Sequence, residues 1–220
     1  MSHIYTGPDG KLYPSVTTVL DLFSYNQSLM GWANYLGFQR KDYKKELDKT
    51  AAVGTWVHAH CQKFVDPGSN PKFTDLPDPM TRFKAEKRVN TFKEKISLYP
   101  YKTIFTEKTL VSPKLGFAGT LDWLCEFWNT LTLFDFKTSK AVRSKMLAQL
   151  GGYALLLEEE LGMIPLQSGI ILVGEDVCSI NTIGKRELDI AKEVFLRYFD
   201  AFNKHDLIEE VLKTSVNTLG

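Results

Sequence analysis

Cysteine is scarce: the 220-residue chain has three, Cys61, Cys125 and Cys178, far apart and with no CxxC pair. Three thiols cannot supply the four thiolates of an iron–sulfur cluster, and their wide spacing argues against a disulfide framework. Each reads as a small buried apolar residue in a reducing compartment. No apolar run approaches the ~20 residues that cross a bilayer. Met1 to Asp9 lacks the charged flank and apolar core of a secretory signal, so a soluble cytoplasmic protein with no membrane partner is expected. Charge of one sign is not in excess either: 27 Lys and Arg against 26 Asp and Glu leave a formal +1. That balance does not by itself point to nucleic acid, although a basic groove offset by an acidic site would give the same total. There is no internal repeat and no low-complexity segment. What remains is a composition of 44% hydrophobic and 24% charged residues, enough for one substantial core, and a single domain over 1–220 is expected.

The densest pattern runs from Gly119 to Lys140. Leu121, Trp123, Cys125 and Phe127 alternate with Asp122, Leu124 and Glu126, and Leu131-Thr132-Leu133-Phe134 resumes after Trp128-Asn129-Thr130. Two β-type runs around a turn of about three residues predict an antiparallel hairpin. Asp122, near the start of the first strand, and Asp135, near the end of the second, then meet at its open end. A side-chain period of two puts Lys137 on the face of Asp135. A surface ion pair on an edge strand is one origin of such a set and is worth little. A divalent-metal site with an attached lysine is the other.

Upstream, Ile4 to Ser15 predicts a small hairpin turning at Gly7-Pro8-Asp9-Gly10, after which Ser15 caps a helix over Val16 to Phe23. A second helix is expected over Leu29 to Phe38, continuing after a bend to Asp48. It carries Trp32, Tyr35 and Phe38, then Arg40, Lys41, Lys44 and Lys45. Aromatics beside cations can stack bases and hold phosphates; a core face followed by a solvated face is the commoner origin and is the expectation here. A helix over Thr50 to Val65 sets Gly54 and His58 on one face. A glycine there costs about 1 kcal/mol relative to alanine and lets another backbone approach. Asp78-Pro79 opens a helix to about Leu98, packed through Phe83, Val89, Phe92 and Ile96 and made basic by Arg82, Lys84, Lys87, Arg88, Lys93 and Lys95. Tyr101 to Val111 is a strand carrying Glu107.

Beyond Lys140, a helix over Ser144 to Leu161, ended by Gly162, brings Gln149 and Tyr153 one turn apart. Its mid-helix Gly151-Gly152 pair implies a close approach. Strands over Leu166 to Val173 and Val177 to Ile183 follow. A closing helix over Glu187 to Asn203 points Leu188, Ala191, Val194, Phe195 and Tyr198 inward, and 206–220 reads as a tail. The class is α/β (α+β), with a mainly helical part over 1–98 carrying His58 and a sheet core over 99–205.

The order of motifs is G-x-x-x-H on a helix (Gly54, His58), a strand with Glu107, G-T-x-D (Gly119 to Asp122), D-x-K (Asp135 to Lys137), and Q-x-x-x-Y on a helix (Gln149, Tyr153). D-x-K alone occurs by chance in many chains; the whole order, each motif on its proper element, is specific. It resembles the PD-(D/E)XK nuclease superfamily, in the RecB-like exonuclease branch that includes the CRISPR-associated adaptation nucleases and the mitochondrial genome maintenance exonuclease. The resemblance covers roughly Pro14 to Tyr153 and includes the Pro14-Ser15-Val16-Thr17 start found in many phage and mitochondrial members. It implies a restriction-endonuclease-like core, a central mixed sheet flanked by helices. It implies that Asp122 and Asp135 ligate a metal together with the carbonyl of Phe136, and that His58 is the metal-proximal histidine. Lys137 is then the lysine that orients or activates the attacking water, and Gln149 and Tyr153 support the site and contact DNA. Glu107 either serves a second metal through water or is a surface strand residue.

The implied activity is that of a metal-dependent DNA exonuclease, hydrolysing phosphodiester bonds of single strands or DNA ends in recombination, repair or replication. Mg²⁺ or Mn²⁺, one ion or two, suits two carboxylates with water and phosphate oxygens. Lys137 beside two carboxylates keeps its proton, which favours positioning water over acting as a free base. Arg40, Lys41, Lys44, Lys45, Arg82, Lys87, Arg88, Lys140, Arg143 and Lys145 would supply phosphate contacts. The chain departs from several branch members in lacking the four cysteines of an iron–sulfur cluster, and it has no helicase region. That pattern resembles the stand-alone nucleases phages encode, with recombination or replication proteins as separate partners. A structure-specific endonuclease is one alternative. A catalytically vestigial DNA-binding accessory protein is another, and the intact Asp122, Asp135 and Lys137 set argues against it.

Overall fold

In the computed structural model, which describes residues 4–22 and 27–216, a five-stranded sheet in the order β3-β4-β5-β6-β7 forms the middle layer. Its strands are Tyr101–Ser112 (β3), Phe117–Phe127 (β4), Thr130–Lys137 (β5), Gln167–Val173 (β6) and Cys178–Gly184 (β7). All neighbours are antiparallel except β5 and β6, which are parallel. That pairing requires a crossover, supplied by helix α5, Ser144–Leu161. The class is therefore α/β with a central mixed sheet flanked by helices, as expected.

A two-stranded hairpin of β1 (Ile4–Thr6) and β2 (Leu12–Pro14) precedes α1 (Val16–Leu22). Ser15 caps α1 through its hydroxyl, which accepts from the Thr18 N–H at 2.9 Å. Phe23, expected to end that helix, lies outside the described residues. Helices α3 (Tyr43–Val65) and α4 (Pro79–Ile96) cover one face of the sheet through Trp56, Val57, Val89 and Phe92 against Trp123, Phe134 and Phe136. Helices α1, α5 and α6 (Lys185–Val216) cover the other, packing Val16, Leu150, Tyr153 and Phe195 on Leu121, Leu133 and Ile170.

The glycine pair of α5 marks the expected close approach. A Cβ on Gly151 would lie 2.3 Å from the Ala191 carbonyl oxygen of α6, and one on Gly152 would lie 2.9 Å from Val16 of α1.

Several boundaries differ from expectation. The second helix, α2, ends at Phe38 within Gln27–Phe38. Arg40 turns the chain at φ 54, and Asp42 caps α3 by accepting from the Lys44 and Lys45 N–H groups. Residues 43–48 thus open the helix bearing His58 instead of continuing the one before. The aromatics of α2 do not form a core face: Leu36 is buried, whereas Tyr35 is 57% and Phe38 90% exposed. Phe83 is likewise exposed, and Ala85 and Thr81 are among the residues that pack α4 instead. The β4–β5 turn has two residues, not three. Phe127 pairs with Thr130, and Trp128 and Asn129 both take positive φ, 51° and 58°, the twist that suits a tight hairpin. On α6, Leu188, Ala191 and Phe195 are buried, but Val194 and Tyr198 are exposed. The helix continues to Val216 through most of the expected tail. Among the described residues no helix is long and apolar enough to cross a membrane.

Candidate metal centre

The strand register builds the site. Thr106 faces Trp123 and Lys108 faces Leu121 across β3 and β4, which leaves Glu107 opposite Asp122. Trp123 faces Phe134 across β4 and β5, which leaves Asp122 opposite Asp135. Three carboxylates thus line up across three neighbouring strands. Within β3, Glu107 takes φ 48, a conformation uncommon for a residue with a side chain. The N–H of Phe136 donates to Asp122 Oδ2 at 2.8 Å, so the carboxylate takes up a backbone donor where the hairpin opens.

Helix α3 brings His58 onto this row. Its Nε2 lies 3.1 Å from Asp122 Oδ2 and 3.2 Å from Glu107 Oε1. One ligand-type atom from each of His58, Glu107 and Asp122 lies within 4.8 Å of the others. Nε2 and Oε1 are buried and make no hydrogen bond of normal geometry. Converging orphan atoms of this kind are costly without an ion or proton among them; the two carboxylates suit Mg²⁺ or Mn²⁺, and the imidazole nitrogen suits the softer Mn²⁺ better. The residues fit a divalent ion.

Asp135 is fully buried. Its Oδ1 accepts from Gln149 Nε2 at 2.9 Å and its Oδ2 lies 2.5 Å from Lys137 Nζ. Gln149 Nε2 also donates to the Tyr153 hydroxyl at 2.9 Å. Asp135 is therefore adjacent to the His58–Glu107–Asp122 cluster but turned toward Lys137 and α5. His58, Asp122, Phe136 and Lys137, with Gly54, Thr55, Val57, Thr138 and Val173, line a cleft of about 280 Å³. What comes close to Gly54 is a side chain instead of a backbone: Thr138 Oγ1 would be 3.6 Å from a Cβ there.

The electrostatics are those of crowded charges. Burial disfavours the His58 cation, but Asp122 and Glu107 outweigh it and raise its pKa to about 9. Burial works against the Asp122 anion too; His58, Lys137 and the Phe136 N–H overcome it and hold that carboxyl well below its usual range. Asp135 moves the other way, pushed up by burial and by the Asp122 charge. Glu107 is also raised, chiefly by burial. Lys137 stays charged, since Asp135 and Asp122 outweigh its own burial and raise its pKa.

The basic residues are distributed unevenly. Arg40, Lys41, Lys44 and Lys45 are exposed around the start of α3, and Lys140 and Arg143 are exposed between β5 and α5. Arg82 pairs with Glu86 at 3.0 Å, Lys87 with Asp176, and Lys145 with Asp21. Arg88 is half-buried and bonded to protein atoms. Thr138 and Val173, which line the cleft, escaped sequence reading; neither stands in a chemically suggestive pattern.

What the fold and the site define is a class: an α/β protein with a His/Glu/Asp cluster suited to a metal ion. No family model matches the chain. None of the curated proteins matches it. The solved structure of LHK-Exo in complex with dAMP is similar with a TM-score of 0.39 and 12% identity, covering 79% of this chain and 99% of that one.

Proposed function

We propose that the protein is a divalent-metal-dependent deoxyribonuclease of the PD-(D/E)XK, RecB-like type, an exonuclease acting on single strands or DNA ends. One observation carries the reading: His58, Glu107 and Asp122 converge in one cluster with the Asp135–Lys137 pair beside it, at a cleft lined by His58, Asp122 and Lys137, and buried ligand atoms are left unsatisfied. His58, Glu107 and Asp122, with Asp135 and the Phe136 carbonyl from β5, would hold Mg²⁺ or Mn²⁺. Such an ion polarises a phosphodiester and acidifies water when bound. Lys137, kept protonated by its carboxylate neighbours, orients water and offsets charge as it builds on phosphate oxygens. Gln149 restrains Asp135 and is itself fixed by Tyr153. The exposed cations at Arg40–Lys45, Lys140 and Arg143 bind the DNA backbone.

Incubation of the protein with end-labelled single-stranded DNA and either metal tests this. Hydrolysis that needs the metal and is lost in Asp122→Asn and Lys137→Ala supports it; no hydrolysis with either ion overturns it. Cleavage of covalently closed circular DNA would make the enzyme an endonuclease instead.

A further inference from the structure

We infer that Arg88 is a positioning residue that holds Lys137 in place, not a contact to DNA. The inference rests on the proposed role of Lys137 in phosphodiester hydrolysis.

The parallel ladder of β5 and β6 runs as far as Lys137 opposite Leu172. Thr138, which follows β5, and Val173, the last residue of β6, offer their carbonyls to one guanidinium. Arg88 Nη1 donates to Val173 O at 2.9 Å and to Thr138 O at 3.4 Å, and Nη2 donates to Glu175 Oε1 at 3.0 Å. One helical turn further along α4, the Thr91 hydroxyl donates to Gly174 O at 2.8 Å. Helix α4 thus clamps the ends of the parallel pair β5 and β6. Thr138 follows Lys137 directly, and both line the cleft with Val173. A shift of Thr138 would swing Lys137 Nζ away from Asp135 Oδ2, from which it is 2.5 Å.

The chemistry of the contact favours this role over phosphate binding. Both Nη atoms donate to protein acceptors, and Nε is buried without a hydrogen-bond partner. A rigid fork reaching two carbonyls and a carboxylate is a task lysine cannot repeat, whereas lysine serves well as a phosphate counter-charge.

Arg88→Lys and Glu175→Gln separate the two roles. In metal-dependent DNA hydrolysis, Arg88→Lys should lower kcat roughly 10- to 100-fold with KM little changed, and Glu175→Gln should shift kcat the same way by less. A raised KM with kcat retained would identify a phosphate contact and overturn the proposal. A second readout needs no catalysis. In metal-free protein labelled with ¹³C-lysine, the Lys137 ε-methylene resonance should move toward the position of exposed lysines in both variants. An unmoved resonance overturns the proposal even if wild-type protein hydrolyses DNA. A wild type that does not hydrolyse DNA sinks the nuclease reading, while the resonance still reports whether Arg88 holds Lys137. Should Arg88→Lys fail to fold, Glu175→Gln, in a loop at the surface end of the clamp, decides by the same two readouts.

Discussion

The ring of Tyr153 occupies the space that a side chain at Gly119 would need: a Cβ there would lie 2.8 Å from Tyr153 Cε1 and 3.1 Å from Cδ1. Gly119 stands three residues before Asp122 on β4. Tyr153 stands one turn after Gln149 on α5, and Gln149 divides its amide between Tyr153 and Asp135. The G-T-x-D and Q-x-x-x-Y motifs are therefore two sides of one packing contact. Gly119 is not at positive φ, so its backbone accepts alanine and the cost is steric. Gly119→Ala should destabilise the fold by about 1–3 kcal/mol through overpacking, read by urea unfolding. Much of that loss should be absent when Tyr153 is already leucine.

Metal-free protein should lose stability as pH rises through the neutral range. A group whose folded pKa is raised stabilises the fold fully below its unfolded pKa and gives that up as pH climbs through the folded one. For His58 that window runs from 6.5 to about 9. Asp135, also raised, works in the same direction starting from its ordinary 3.8. Asp122, held low, has the opposite sign, and its contribution is lost only as pH falls below 3.8. Thermal melts in EDTA should therefore show a Tm that falls from pH 6.5 to 9, with a shallower slope in His58→Gln. An Mn²⁺ ion held in the cluster would replace that proton, so the Tm gain it gives should grow with pH. A Tm gain independent of pH would argue against ligation by His58.

The exposed aromatics of α2 offer a test of how a strand reaches the cleft. Phe38 is 90% exposed, so Phe38→Ala should change stability by no more than about 0.5 kcal/mol. Lys44 lies nearly four turns before His58 on α3, hence on the same side and roughly 21 Å away. A single strand leaving the cleft along α3 runs toward the Arg40–Lys45 cations, beyond which α2 ends at the exposed Phe38. Base stacking on an aromatic ring is worth about 1–3 kcal/mol, so Phe38→Ala should weaken binding of a dT oligonucleotide by roughly 5- to 150-fold in EDTA. Lys44→Ala should reduce the salt dependence of that binding by about one counterion. Unchanged affinity in Phe38→Ala would leave these aromatics with no part in binding.

Local chemistry was the legible part. The caps at Ser15 and Asp78, the stop at Gly162, the alternation of β4 and the Gly151-Gly152 contact each depend on neighbours in the chain or on one residue's size. Where partners are distant, the pattern left choices open. Tyr35 and Phe38 have core-like spacing, yet nothing in α2 itself says whether a neighbour covers them. The left-handed residue at the α2 break is Arg40 and not the nearby Gly37, and Trp128 takes a left-handed turn position that favours asparagine or glycine. The helix beyond Asn203 continues with Leu207 and Ile208 exposed, where no burial pattern could announce it. Glu107 was ambiguous for the same reason: only the β3–β4 register sets it opposite Asp122.

Glu107 carries the prediction in which stability and ligand binding move in opposite directions. Its carboxylate is partly buried, sits beside Asp122, and has its pKa raised chiefly by burial, so in metal-free protein above neutral pH it opposes folding. His58 relieves this only while it keeps its proton. Glu107→Gln removes the negative charge and preserves the shape. The metal-free variant should therefore match or exceed wild type in Tm at pH 10, where His58 has given up its proton. Its affinity for Mn²⁺ and Mg²⁺ should fall together, because a carboxylate oxygen serves both ions. His58→Ala should instead weaken Mn²⁺ binding more than Mg²⁺ binding, since imidazole suits the softer ion. Titration calorimetry on the three proteins checks both claims. If Glu107→Gln lowers metal-free stability and leaves metal affinity intact, Glu107 is a structural strand residue and not a ligand of the centre.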